Sequence, residues 1–224
     1  LRRTTTYIKR YGQLKNFRLY MKQLLKKTEI IDYKYSLLKD ENSFNIFKIL
    51  RKEDDEVYLH SKFISELLNP NGEHGFKDVF LGLFIEQLYP DNEEEINLNN
   101  AIVSSEKYIG EISKDETEGG RIDIIIDNLS IPTIVIENKL FADDQKNQLL
   151  RYFNYNNNGE IFYLTLYGDE PSDYALGNLT LEKIKLISYK TDINNWLTRC
   201  IEKASKKPSL RESIIQYQQL VNKL

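Results

Sequence analysis

Cysteine, tryptophan and methionine each occur once in 224 residues, and histidine only twice. The lone Cys200 excludes an internal disulfide and a cysteine-built zinc centre, and two histidines without a neighbouring cysteine are a poor zinc set. Five prolines and ten glycines leave no room for a low-complexity linker. No apolar run approaches the roughly 18 residues that cross a bilayer, and Leu1 to Lys9 lack the apolar stretch of a signal peptide. The expectation is a cytoplasmic protein without a membrane partner. An initiator Met is missing, so a longer parent chain stays open. P-loop, Ser-His-Asp and dinucleotide fingerprints are all absent.

A surplus of one charge is also lacking. The net charge of -3 is not the strongly basic balance that marks many nucleic-acid binders. Its distribution is uneven: Leu1 to Lys27 holds nine Lys and Arg residues and no acid, whereas acids gather from Asp91 to Glu118. The basic block can supply sequence-independent phosphate contacts or serve as a solvated helix face.

With 41% apolar residues the chain can bury a sizeable core. Apolar residues at three- and four-residue spacing predict helices over 7–27, 43–51, 55–68 and 76–89, the third stopped by Asn69-Pro70-Asn71-Gly72. The period then changes to short β-branched runs. Strands are expected at Ile102 to Ile109, Arg121 to Asp127, Thr133 to Lys139, Ile161 to Tyr167 and Ile184 to Tyr189. A helix from Asp143 to Asn156 separates the third and fourth, and helices at 192–204 and 209–222 close the chain. This order implies an α/β fold, a mixed sheet of four to five strands flanked by helices. Residues 1–100 would form a helical N-terminal region packed on a 101–190 core, with 191–224 as C-terminal helices, all within one structural domain.

Residues two apart in a strand share a face, so Glu137 and Lys139 project together above Val135. Asp123 stands among four isoleucines, where an unpartnered carboxylate is costly to bury. A divalent ion shared with Glu137 is one partner, and Mg²⁺ favours such hard oxygen ligands. The alternative is a pair of strand-end acids matched to Arg121 and Lys139 at the surface. Gly119-Gly120 gives the backbone freedom for close substrate approach.

Asp123 followed by Glu137-Asn138-Lys139 resembles the signature of the PD-(D/E)XK nuclease superfamily, an acid on one strand and acid-x-Lys on the next. Around it, His60-Ser61, Leu67-Leu68-Asn69-Pro70, His74-Gly75, Gly120-Arg121-Ile122-Asp123 and Gln148-Leu149-Leu150-Arg151-Tyr152 look like a bacterial branch of that superfamily. Ile122 stands where the superfamily name has proline. The resemblance implies a restriction-endonuclease-like core and hydrolysis of phosphodiester bonds with Mg²⁺ or Mn²⁺, usually in DNA. It also implies that Asp123, Glu137 and the Asn138 carbonyl hold the metal while Lys139 acts on water or phosphate. Glu56, on a helix before the sheet, would be an auxiliary ligand, ahead of Glu66, with Glu106 a further candidate. Gln145, Gln148 and Tyr152, at helical spacing, would present one face to the site or else pack and solvate the helix. Arg121 would touch substrate. His60, four residues after Glu56, would join it there or pack in the core; His74 reads as a turn residue. RNA cleavage, a nuclease-like fold that binds without cutting, and a homo-oligomer all remain compatible with the sequence.

Overall fold

The computed structural model describes residues 20–34, 44–91, 96–98 and 100–224. Contacts divide the chain into two units, Leu1–Asn45 and Ile46–Leu224. In the first, residues 20–34 form a helix, α1. The part of the expected first helix before residue 20, with most of the basic block, lies outside the described residues.

The second unit opens with α2 (Ile46–Leu50), a π-wound segment (Glu56–Ser61), α3 (Lys62–Leu68) and α4 (Val79–Leu88). The expected single helix over 55–68 therefore changes its winding midway. The Asp55 side chain accepts from the Tyr58 N–H at 2.8 Å, and the His60 N–H reaches back five residues to the Asp55 carbonyl at 3.1 Å. This wider turn undoes the four-residue argument that put Glu56 and His60 on one face.

Five strands come next: β1 (Ile102–Tyr108), β2 (Arg121–Asp127), β3 (Ile134–Asn138), β4 (Glu160–Thr165) and β5 (Ile184–Ser188). They lie side by side in chain order, β1 to β3 antiparallel and β3 to β5 parallel. Parallel neighbours need a crossover, supplied by α5 (Gln148–Tyr155) between β3 and β4 and by α6 (Asp173–Leu176) between β4 and β5. The helices α7 (Asn194–Lys203) and α8 (Pro208–Lys223) complete the unit. The expected mixed, helix-flanked α/β sheet is thus the observed one.

Strand alternation sorts the core into two layers. Ile124, Ile126, Ile134, Ile136, Phe162 and Leu164 pack on the face covered by α3, α4, α7 and α8. Ile125, Val135, Ile161 and Tyr163 pack on the other face, against Leu149 and Tyr152 of α5 and Ala175 and Leu176 of α6. All five β3 residues are buried, as suits a central strand covered on both sides. Among the described residues no helix is long and apolar enough to cross a membrane.

Trp196 anchors the thicker layer: it is fully buried, donates its indole N–H to the Phe80 carbonyl at 2.9 Å, and meets Phe84 edge-on with ring centres 5.3 Å apart. Phe84→Ala is expected to destabilise the fold by about 3 to 5 kcal/mol through the cavity it opens. Since Trp196 is the sole tryptophan, its fluorescence during urea unfolding reads this shift without interference. An unchanged urea midpoint would show that the layer does not depend on this pair.

Candidate active site

The last registered pair between β2 and β3 at this end is Ile124 opposite Ile136. One step further, Asp123 and Glu137 come together on the α5 face. Here the ladder gives way to a side chain: the Asn138 N–H donates to Asp123 Oδ2 at 2.8 Å. On the other edge of β3 the parallel ladder continues, with the Lys139 N–H donating to the Leu164 carbonyl at 2.7 Å. The end of β3 is therefore held from both sides, by a carboxylate and by a strand.

Glu137 is 1% exposed and collects three donors. Its Oε1 accepts from Gln148 Nε2 at 2.6 Å and lies 3.1 Å from Lys139 Nζ, while Oε2 accepts from the Tyr152 hydroxyl at 2.9 Å. The shared strand face expected for Glu137 and Lys139 is thus observed. Lys139 Nζ also donates to the Asp143 carbonyl at 3.3 Å. Desolvation first, then the neighbouring Glu137 charge, pushes the Asp123 carboxyl well above the usual carboxylate range. Burial raises Glu137 as well, against the opposing pull of Lys139 and Tyr152. For Lys139, burial is the largest single influence and acts downward, but the charge and hydrogen bond of Glu137 together with the charges of Asp123 and Glu56 outweigh it, so its ammonium is held above its ordinary value. Burial likewise keeps the Tyr152 phenol protonated.

On the opposite face of β3, the Asn138 side chain is buried. Its Oδ1 accepts from the Tyr189 hydroxyl at 2.8 Å, and its Nδ2 donates to Ser61 Oγ at 2.9 Å. These bonds fix the main chain that carries Glu137 and Lys139. Glu56 fixes the next stretch of chain: its Oε1 accepts the backbone N–H groups of Leu140, Phe141 and Ala142 at 2.6, 2.7 and 2.9 Å. The residue expected as an auxiliary ligand thus clasps the loop after β3 with one oxygen, at the edge of the same cleft.

Two expectations need correction. Gln145 is not on the helix with Gln148, because α5 begins only at Gln148. Asp144 is pinned away from helical geometry by Ser172, whose N–H and hydroxyl donate to Oδ2 at 2.9 and 2.6 Å, and by the Tyr163 hydroxyl on Oδ1 at 2.7 Å. Asn147 then takes a left-handed conformation at φ 52 before the helix starts. His60 does not reach the cleft either. It is fully buried, with Nε2 against the Glu53 carbonyl at 2.8 Å and Nδ1 against the Tyr217 hydroxyl at 2.9 Å. The carbonyl can only accept, so Nε2 carries the proton and Nδ1 accepts from Tyr217; burial keeps the ring neutral by lowering its pKa.

The remaining candidates take varied places. Arg121 sits on the rim, its guanidinium 3.3 Å from Glu106. Glu106 takes a left-handed φ of 55 within β1, at the one position where the registered pairing with β2 is skipped, and its Oε1 is buried without a partner. Glu66 serves the Asn69–Gly72 turn instead, accepting from the Glu73 N–H at 2.6 Å. His74 is a buried turn residue bonded to the Asn69 carbonyl at 2.8 Å. Three structural roles at the cleft escaped the sequence reading: the clasp that Glu56 makes, the pin at Asp144 and the placement of Arg151, which is buried behind Gln145. The first two rest on partners 84 and 28 residues distant, beyond any spacing rule. Arg151 had a signal, since it stands next to Tyr152 in the helix segment expected to face the site.

Together Asp123, Glu137, Lys139, Gln148, Gln145, Glu106 and Arg121 line a cleft of about 710 Å³. Two desolvated carboxylates with raised affinity for protons, plus the nearby Asn138 main chain, form an all-oxygen donor set that suits a hard divalent ion. Among the described residues no group of three or more His, Cys, Asp or Glu is arranged to hold a metal ion by itself. Mg²⁺ tolerates few protein ligands when water and phosphate complete its shell. Comparison with family models gives a match over residues 44–219 to a family described as the PD-(D/E)XK nuclease superfamily. Comparisons with curated proteins and with solved structures give no match.

The raised carboxyls make a stability test. A carboxyl whose folded pKa exceeds its unfolded one contributes stability that is complete below the unfolded value, about pH 4, and is lost as pH rises through the folded value. Metal-free protein is thus expected to lose stability towards neutral pH from this pair. Asp123→Asn keeps an oxygen for the Asn138 N–H and removes the repulsion. In EDTA its melting temperature is expected to exceed the parental one near pH 8, with the gap closing near pH 4. Parallel melting curves for both proteins across that range would refute the assignment.

Proposed function

Because the chain belongs to the PD-(D/E)XK nuclease superfamily, we propose that it is a divalent-metal-dependent nuclease hydrolysing phosphodiester bonds, with DNA as substrate. The reading is carried by one observation: two desolvated carboxylates, Asp123 and Glu137, share a cleft with an ammonium 3.1 Å from Glu137. Asp123, Glu137 and the Asn138 carbonyl would hold Mg²⁺ or Mn²⁺. Once bound, the ion polarises a phosphate oxygen and lowers the pKa of a coordinated water.

The chain's own residues do the rest. Lys139 stays protonated and donates towards the attacking water or the phosphate oxygens, where charge accumulates in the transition state. Gln148 and Tyr152 donate to both oxygens of Glu137, so its carboxylate cannot rotate away from the cleft. A carboxylate only accepts, which turns the Gln148 amide nitrogen towards it and leaves Gln148 Oε1 to accept from the Gln145 N–H at 3.3 Å. Glu56 holds the loop after Lys139 at the edge of the cleft. Arg121 stands at the exposed rim, ready to meet a phosphate. The DNA preference rests on the family resemblance. Incubation with plasmid, linear duplex, single-stranded DNA and RNA, each with Mg²⁺, Mn²⁺ or EDTA, tests substrate and metal together; no cleavage in any metal arm rejects the reading.

Lys139→Ala is expected to lower the cleavage rate roughly 10²- to 10³-fold, as removal of a positioned electrostatic donor does, while Mn²⁺ still binds in a calorimetric titration. Asp123→Ala should lose both binding and turnover, because the remaining ligands are too few. Parental cutting rates in either variant would reject these roles.

A further inference from the structure

Arg151 is 2% exposed, and a guanidinium is always charged. It takes part in none of the ion pairs among the described residues. Nη1 donates to the Lys146 carbonyl and Nη2 to Gln145 Oε1 at 3.1 Å, both neutral, while Nε is buried with no acceptor. Glu116, the acid beside Lys146, is paired with the Lys146 ammonium. A buried cation without a counter-charge is costly, so its retention asks for an anion.

The surroundings say where that anion comes from. Gly120 and Gln145 line the cleft, and Arg151 stands directly behind both. A Cβ on Gly120 would lie 3.3 Å from Arg151 Nε and 3.7 Å from Nη2. Gly120 is held there at φ +118 by main-chain bonds with Gly110 and Ile109. The Nε–Nη2 edge, the fork that fits two oxygens of a phosphate, is thus screened by a glycine and one amide. Arginine only donates, so Gln145 must turn its oxygen to Nη2, which leaves its Nε2 donors for the cleft. Gln145 is exposed and lies outside the helix.

We infer that Arg151 and Gln145 form an anchor for a backbone phosphate of the substrate strand next to the scissile one; this rests on the nuclease reading above. The Nε–Nη2 edge takes one non-bridging oxygen and Gln145 Nε2 the other. The contact reads the backbone and carries no base preference.

Binding of a short fluorescein-labelled DNA duplex in EDTA, followed by anisotropy over a range of NaCl, tests this without turnover. Arg151→Met, with parental circular dichroism, is expected to bind roughly ten-fold more weakly or worse, with a salt slope shallower by about one. Arg151→Lys should recover the slope but not the affinity, for want of the fork. Gln145→Leu should weaken binding with the slope unchanged. A folded Arg151→Met with parental affinity and slope overturns the anchor and leaves Arg151 as a staple between α5 and the preceding loop. If Arg151→Met does not fold, parental affinity in both Arg151→Lys and Gln145→Leu overturns it instead. Absence of any binding by the parental protein in EDTA also overturns it. Arg151-dependent binding by a protein that cuts nothing with Mg²⁺ or Mn²⁺ would sink the nuclease reading and leave the anchor standing.

Discussion

Two carboxylates, Glu137 buried and Asp123 half-buried, stand side by side where β2 and β3 part, and most of the surrounding architecture serves to make that tolerable. Water solvates neither in full, and the Glu137 charge raises the cost of ionising Asp123. The compensation is assembled from far along the chain: Lys139, Gln148 and Tyr152 on Glu137, and the Asn138 main chain on Asp123. Every one of these donors is itself held. Lys139 is tied to β4 and to Asp143, the Tyr152 hydroxyl accepts from Gln148 Nε2 at 3.0 Å, and Asn138 is bonded beneath the sheet to Tyr189 and Ser61. The polar cluster is therefore stiff as a whole.

The topology explains why the cluster forms at this strand. β3 is the one strand with an antiparallel neighbour on one side and a parallel neighbour on the other. Antiparallel pairing sets Asp123 beside Glu137, since directly opposed residues share a face. Parallel pairing requires a crossover helix, and α5 lies across that same face, so Gln148 and Tyr152 arrive over Glu137. A sheet of a single type would bring either the second acid or the helix, but not both.

How much of this could be read from sequence depends on which forces are local. Strand parity is local, so the convergence of Asp123, Glu137 and Lys139 was legible from a two-residue period, and the isoleucine runs marked the sheet. The start of α5 was not, because Asp144 leaves helical geometry for partners on β4 and near α6 that no nearby residue announces. His60 misled for a related reason: its neighbours in sequence suggest the site, but its ring is claimed by Tyr217 on α8, 157 residues away. The π-wound turn before α3 then swings Glu56 towards Leu140 while His60 enters the core. Long-range hydrogen bonding thus overrode spacing at the positions where polar residues are buried.

The same logic joins the two polar centres of the cleft. Arg151 fixes the oxygen of Gln145, the Gln145 N–H donates to Gln148 Oε1, and Gln148 Nε2 donates to Glu137. Each side-chain amide has one orientation that suits its partners, set for Gln145 by the donor-only guanidinium and for Gln148 by the acceptor-only carboxylate and the Gln145 main-chain N–H. A buried cation thereby faces the carboxylate pair through two neutral amides. Charge separation of this kind leaves both ends undersatisfied in the free protein: the carboxylates hold protons too tightly, and the guanidinium keeps an orphan Nε. A ligand carrying a cation at one end and an anion at the other would relieve both at once, and a metal-bound phosphate strand has that polarity. On the proposed reading, the instability of the free cleft becomes affinity that only the complete substrate–metal combination can recover in full.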